Sequence, residues 1–277
     1  MLSSTSGHDS LESAGAAGPV LRFENVHLAF DGLAVLRGVS FIARRGETKV
    51  LLGEAASGKT LLLKLALGLQ RPDSGAVWVL GQPVSDLPES RLFALRRHIG
   101  MVFQESALFD SLSVRENVAY RLREEHELTE DTIEQRVRRA LSFVELEEAI
   151  DKMPGELSGG MKRRVAIARA LSSEPEVMLY DSPTGGLDPI TSTTIMELII
   201  KLRDENNVTS LLVTHRLQDA YLLATHVGDT QKRRLRAAAP ERSHTSFLLL
   251  REGKVWFDGD GHQLMNSGDD YVKTFME

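Results

Sequence analysis

The 277-residue chain has no cysteine. Disulfides and thiolate metal centres are therefore excluded, and a reducing compartment is permitted. No apolar run approaches the ~20 residues that a membrane-spanning helix needs. Positive charge is not in surplus either. The 33 Lys and Arg are outnumbered by 39 Asp and Glu, for a formal charge of -6, which argues against a global nucleic-acid binder. The opening stretch, MLSSTSGHDSLESAGAAGP, lacks a basic segment followed by an apolar core and is not read as a signal peptide. Its Ser, Gly and Ala, without aromatics, predict a disordered leader over residues 1–18. If the protein works at a membrane, it is expected to do so as a peripheral subunit.

What is present is ordinary globular composition, 42% hydrophobic and 26% charged, enough for one large domain over 19–277. VLRFENVHLAF alternates like a strand, and FDGLAVLRGVSFIARRGE continues as short strands separated by Asp-Gly and Arg-Gly turns. TKVLLG reads as a buried strand, KTLLLKLALGL as a helix with an apolar face, and AVWVLG as another strand. Residues 88–157 are rich in Glu, Arg and Leu and read as an α-helical subdomain inserted in an α/β core. Helix KRRVAIARAL, strand EVMLY, helix TSTTIMELIIKL and strand TSLLVT follow. That alternation predicts a parallel sheet covered by helices.

Residues Gly53, Glu54, Ala55, Ala56, Ser57, Gly58, Lys59 and Thr60 spell G-x-x-x-x-G-K-[ST] between a predicted strand and a predicted helix. Consecutive backbone N–H groups and a positive helix end suit phosphate oxygens. Lys59 neutralises the outer phosphates, and the Thr60 hydroxyl can ligate Mg²⁺. A second bare helix start, Leu157, Ser158, Gly159, Gly160 and Met161, has Ser158 as N-cap and reads as another anion site. VMLYD ends a strand in Asp181, placed to serve an Mg²⁺ shell. GGLDP sets Asp188 in a turn, and SLLVTH ends a strand in His215.

The order of these segments resembles the ABC ATPase family over nearly all of the chain from Val20. The resemblance implies a P-loop NTPase (RecA-like) core with an antiparallel β subdomain and the inserted helices. It implies a Walker A loop at Gly53–Thr60, a Walker B aspartate at Asp181 and a signature sequence at Leu157–Met161. It also implies a Q-loop glutamine at Gln104 near metal or water, a D-loop residue at Asp188 and a switch histidine at His215. Phe30 falls where the family stacks an aromatic on adenine; the other reading is a core strand residue. Two copies would sandwich ATP and Mg²⁺, the signature of one capping the nucleotide of the other, and would drive a transmembrane permease. GMVFQESALFDSLSVRENVAYRLRE and the Met of LSGGMKRR are similar to the Mla/MCE lipid-transport ATPases. That branch implies phospholipid or other lipid cargo, an MCE substrate-binding partner, no nucleic acid and a place on the cytoplasmic face of the bacterial inner membrane. Import or export of another cargo is the alternative.

Three departures stand out. Ser182 follows Asp181 where the family has Glu. A hydroxyl is no general base near neutral pH, so weakened hydrolysis is expected, and a regulatory protein that dimerises with ATP but barely hydrolyses it is the rival reading. Ala56 replaces a usual glycine, at a cost of about 1 kcal/mol if the loop needs positive φ. Residues 228–246 read as an insertion, basic through Lys232, Arg233, Arg234 and Arg236. It is expected to be either a solvated loop or a contact for anionic lipid or an acidic partner. His27 and His226 lack metal-ligand spacing, and the arginines of KRRVAIARAL are read as helix surface rather than a nucleic-acid site.

Overall fold

A computed structural model describes residues 18–229 and 234–273. The elements run β1 (Leu21–Phe30), β2 (Leu33–Ala43), β3 (Thr48–Gly53), α1 (Lys59–Ala66), β4 (Ser74–Val79), β5 (Gln82–Pro83), α2 (Glu89–Arg96) and β6 (Ile99–Val102). Next come α3 (Val114–Glu124), α4 (Glu130–Phe143), α5 (Gly159–Leu171), β7 (Val177–Asp181), α6 (Pro189–Asn206), β8 (Thr209–Val213) and α7 (Leu217–Thr225). The chain continues through β9 (His226–Asp229), β10 (Arg234–Ala237), β11 (Thr245–Arg251), β12 (Lys254–Asp260), α8 (Gly261–Met265) and α9 (Asp270–Lys273).

The central sheet has the order β12-β11-β3-β8-β7-β6. Its strands are parallel from β11 to β6, and β12 joins antiparallel. All of β3 and β8 is buried, because helices cover both faces of a parallel sheet and the strands carry unbroken apolar runs. Alternate side chains feed two cores. Leu51, Leu179, Leu211 and Leu248 pack with α1 and the antiparallel sheet β2-β1-β4-β5, while Leu52, Tyr180, Leu212 and Leu249 pack with α3–α7. The fold is thus the P-loop α/β class with an antiparallel β subdomain. Among the described residues no helix is long and apolar enough to cross a membrane.

Three readings need correction. The helical stretch 88–157 contains β6, which pairs with β7 in the central sheet. Its four residues, IGMV, are too short to show a period among helical neighbours. The Arg37-Gly38 pair is no turn, because β2 runs through it. Gly38, at φ 78°, absorbs a break in register opposite His27. In 228–246, β9 and β10 form an antiparallel ribbon, and Arg236 on β10 is exposed. Lys232, Arg233 and the 1–17 part of the leader lie outside the described residues.

Candidate functional site

Strand order places the site. The carboxyl ends of β3, β8, β7 and β6, four neighbouring parallel strands, and the residues that directly follow them carry Lys59, His215, Asp181 and Gln104 in turn. Ligands bind at that edge in open α/β sheets.

The loop after β3 closes on itself. Lys59 turns back, its Nζ donating to Gly53 O at 2.9 Å, Glu54 O at 2.6 Å and Ser57 Oγ at 3.1 Å. Burial lowers its pKa against the pull of Asp181 and Glu54. Gly53 and Gly58 have φ of 140° and 97°, and a Cβ would meet Leu250 O at the first and the Leu36 side chain at the second. The loop therefore curls tightly over bare backbone, the shape a phosphate fills. Ala56 sits at φ 59°, a left-handed position held by a residue with a Cβ. Ala55 and Ala56 are exposed. Leu36 and Val35 of β2 flank Gly58, so the β1–β2 hairpin borders the loop, with Phe30 43% exposed at its end. Glu54 also accepts from the Tyr271 hydroxyl at 3.3 Å, which brings the C-terminal α9 against the loop.

Thr60 Oγ1 donates to Asp181 Oδ1 at 3.2 Å. Burial raises the Asp181 pKa, opposed by the Thr60 bond and the charges of Lys64 and Lys59. A carboxylate and a hydroxyl converging beside a phosphate-shaped loop form an oxygen donor set that fits Mg²⁺. Ser182 is 7% exposed with φ 48°, and its N–H donates to Val213 O at 2.9 Å. A Cβ on Gly185 would lie 3.5 Å from the Ser182 Cβ and 3.7 Å from Gln104 Cγ, so Gln104 and Ser182 border one space. His215 and Gln104 are exposed.

Ser158 caps α5, its Oγ accepting from Met161 N at 3.3 Å. Leu157 is buried, while Gly159 is exposed. Gly160 admits the Thr191 methyl where a Cβ would collide. Asp188 caps α6, accepting from Thr191 N at 3.0 Å and Thr191 Oγ1 at 2.5 Å, and these bonds hold its carboxyl below the usual range. The starts of α5 and α6 thus abut within one chain.

The structure adds residues to which the sequence reading gave no role in the site. Arg163 is 3% exposed, not helix surface. Its guanidinium donates to Phe103 O, Gln104 O and, at 3.3 Å, Gly185 O. Arg169 donates to Ser106 O and Ala107 O at 2.8 and 2.6 Å. Asp219, 1% exposed, accepts from Thr184 and from Thr214 at 2.9 Å. Arg216 reaches Thr184 O at 3.2 Å and Ser192 Oγ at 2.6 Å. A buried lattice therefore ties the turn after Asp181 to the turn carrying His215. The signal was an Arg and an Asp on apolar helix stripes.

Residues 36–185 match the profile of the family described as ABC transporter. The chain is 37% identical over 243 residues to the intermembrane phospholipid transport system ATP-binding protein MlaF of Escherichia coli, covering 88% of this chain and 83% of that protein. It is 38% identical over 216 residues to the methionine import ATP-binding protein MetN of Bifidobacterium longum, covering 76% of this chain and 54% of that one. The dimeric post-hydrolysis structure of the ATP-binding cassette MJ0796, bound to ADP and Pi, superposes with a TM-score of 0.72 at 29% identity, over 87% of this chain and 98% of its own.

Proposed function

Since the chain belongs to the ABC transporter family, we propose that Gly53–Thr60 hold the phosphates of ATP, that Thr60 and Asp181 hold Mg²⁺, and that Ser158–Gly160 of one copy cap the nucleotide held by a second copy. The chain is an ABC-type ATPase, the ATP-binding subunit of a transporter. When bound, Mg²⁺ would neutralise charge on the outer phosphates. Lys59 holds its own loop in shape and exchanges carbonyl partners for phosphate oxygens. Gln104 and His215 orient water and the terminal phosphate, and Phe30 stacks on the base. Asp188 sits at the α5–α6 junction that would face the second copy.

The observation that carries this reading is the shared carboxyl edge, where Lys59, Asp181, Gln104 and His215 leave adjacent strands. Its test is binding of a fluorescent ATP analogue. Wild-type protein should bind and Lys59→Ala should not; equal binding by both would remove the phosphate-loop assignment.

The cargo we assign is phospholipid, with the chain peripheral on the cytoplasmic face of a bacterial inner membrane beside a permease and an MCE protein. Support comes from the even coverage of the MlaF relative, against a methionine relative of which the chain spans only 54%. Copurification from native membranes should recover a permease with phospholipid. Recovery of an amino-acid permease would contradict it.

Ser182 supports a second reading, in which ATP closes the dimer but is scarcely hydrolysed. ATP-dependent dimerisation without phosphate release would select it.

A further inference from the structure

Arg163 lies one turn into α5, buried beneath the turn that carries Gln104. Among the described residues it faces no carboxylate within ion-pair distance, and its Nε has no partner. A buried cation without a counter-ion is costly to keep, and here the charge is spent on backbone carbonyls alone. Two of these, Phe103 O and Gln104 O, belong to the Gln104 loop. Arg169, two turns further along α5, holds the next stretch of that loop through Ser106 O and Ala107 O. Ser106 and Ala107 are successive left-handed residues, with φ of 64° and 46°. The loop is thus strapped along α5 by two guanidinium groups.

The third Arg163 bond is different in kind. Gly185 O belongs to the turn between β7 and α6 that begins at Ser182 and ends at Asp188. Of the two straps only Arg163 reaches across to it. A planar five-donor fork holds three carbonyls in one fixed geometry, which an ammonium on a flexible stem does not impose.

We propose that Arg163 is a positioning residue for ATP hydrolysis, its guanidinium making the Gln104 loop, the start of α5 and the Ser182–Asp188 turn shift as one unit. The inference rests on the ATPase reading above. Arg163 has no place in the phosphate loop, so it acts on turnover rather than on nucleotide affinity. Its contribution is to keep Gln104 and Ser182 in register around the space they share.

The test uses the full chain with Arg163→Met, Arg163→Lys and Arg169→Met. It measures Mg²⁺-dependent ATP affinity, phosphate release and amide hydrogen exchange. Arg163→Met should bind ATP nearly as wild type does and lose about ten- to a hundredfold in kcat, the scale of misplaced reacting groups. Arg163→Lys should recover part of the loss. In the wild type, ATP should slow exchange in 103–107 and 183–188 together. Arg163→Met should separate the two responses, whereas Arg169→Met, which never touches Gly185, should leave 183–188 responsive. Should wild-type turnover be too slow to measure, the exchange pattern decides alone. If Arg163→Met does not fold, Arg163→Gln carries the same comparison. Wild-type kcat and joint protection in the Arg163 variants would overturn the proposal. So would equal loss of affinity and kcat in Arg163→Met and Arg163→Lys, which marks a merely architectural role. Wild-type protein that ignores ATP would instead overturn the underlying ATPase reading, and that is seen before any variant is compared.

Discussion

Thr60 Oγ1 and Asp181 Oδ1 meet at 3.2 Å, one from the start of α1 and the other from the end of β7. Burial holds the Asp181 carboxyl above its ordinary pKa, and the Thr60 bond with Lys64 and Lys59 draws it back. A divalent cation would relieve that burden directly. Asp181→Asn should lower Mg²⁺-stimulated turnover by about a hundredfold or more, since a metal's stabilisation of transferred charge is worth several kcal/mol. Nucleotide binding without metal should change little. Magnesium titration of ATP hydrolysis checks this; unchanged magnesium dependence would remove Asp181 from the metal site.

Ser182 contributes a neutral hydroxyl beside Asp181, buried and held by its own N–H bond to Val213 O. Restoring a carboxylate supplies a group able to take a proton from water, worth about 10²–10⁴ in rate. Ser182→Glu should therefore raise turnover by at least about tenfold, with ATP affinity nearly unchanged. Turnover that stays level or falls would mean that another group already acts as base.

Ala56 occupies φ 59° in the loop between β3 and α1. Alanine pays for that left-handed conformation and glycine does not, so Ala56→Gly should stabilise the fold by about 0.5–1 kcal/mol after the extra chain entropy of glycine is deducted. Thermal unfolding without nucleotide reads the effect. A loss of stability would show that the loop bears no strain at this residue.

The Gly53–Thr60 turn between strand and helix, the Ser158 helix cap and the strand-terminal Asp181 are legible in the letters because each is local. Consecutive residues decide whether a turn can expose N–H groups or a strand can end in a carboxylate. Gln104, His215 and Phe30 are less so: their roles come from family resemblance, since nothing adjacent to them dictates a ligand. Arg163 is hidden for a different reason. It lies at i of an i, i+3, i+4, i+7 stripe with the buried Ala166, Ile167 and Ala170, so its burial is written in the sequence. Its carbonyl partners, about 60 residues before it and 22 after, are fixed only by the tertiary fold. β6 escapes notice because four apolar residues carry no period, and the β9–β10 ribbon, which lies against α6, because strand formation is set by packing context more than by local residues.

Asp219 predicts a pH effect. It is buried among Thr184, Thr214 and Arg216, and desolvation outweighs their attraction, raising its pKa above 3.8. An acid with a raised folded pKa stabilises the fold in its protonated form. That stabilisation is full below about pH 3.8 and is lost as pH rises through the folded value. Asp219→Asn stays neutral and keeps an acceptor oxygen for the two threonines. Its stability relative to wild type should rise as pH increases above about 4. Unfolding curves across that range check the sign, and a constant difference would mean that Asp219 titrates as in the unfolded chain.

The central claim concerns two copies and one nucleotide: the Lys59 loop of each copy faces the Ser158 helix start of the other. Light scattering of the purified chain with Mg²⁺ and ATP tests it most directly. A doubling of mass with ATP, abolished equally by Lys59→Ala and by a bulky Ser158→Arg at the opposing surface, is the predicted result. A chain that binds ATP yet stays single at all concentrations, or that pairs just as well with Ser158→Arg, would contradict it.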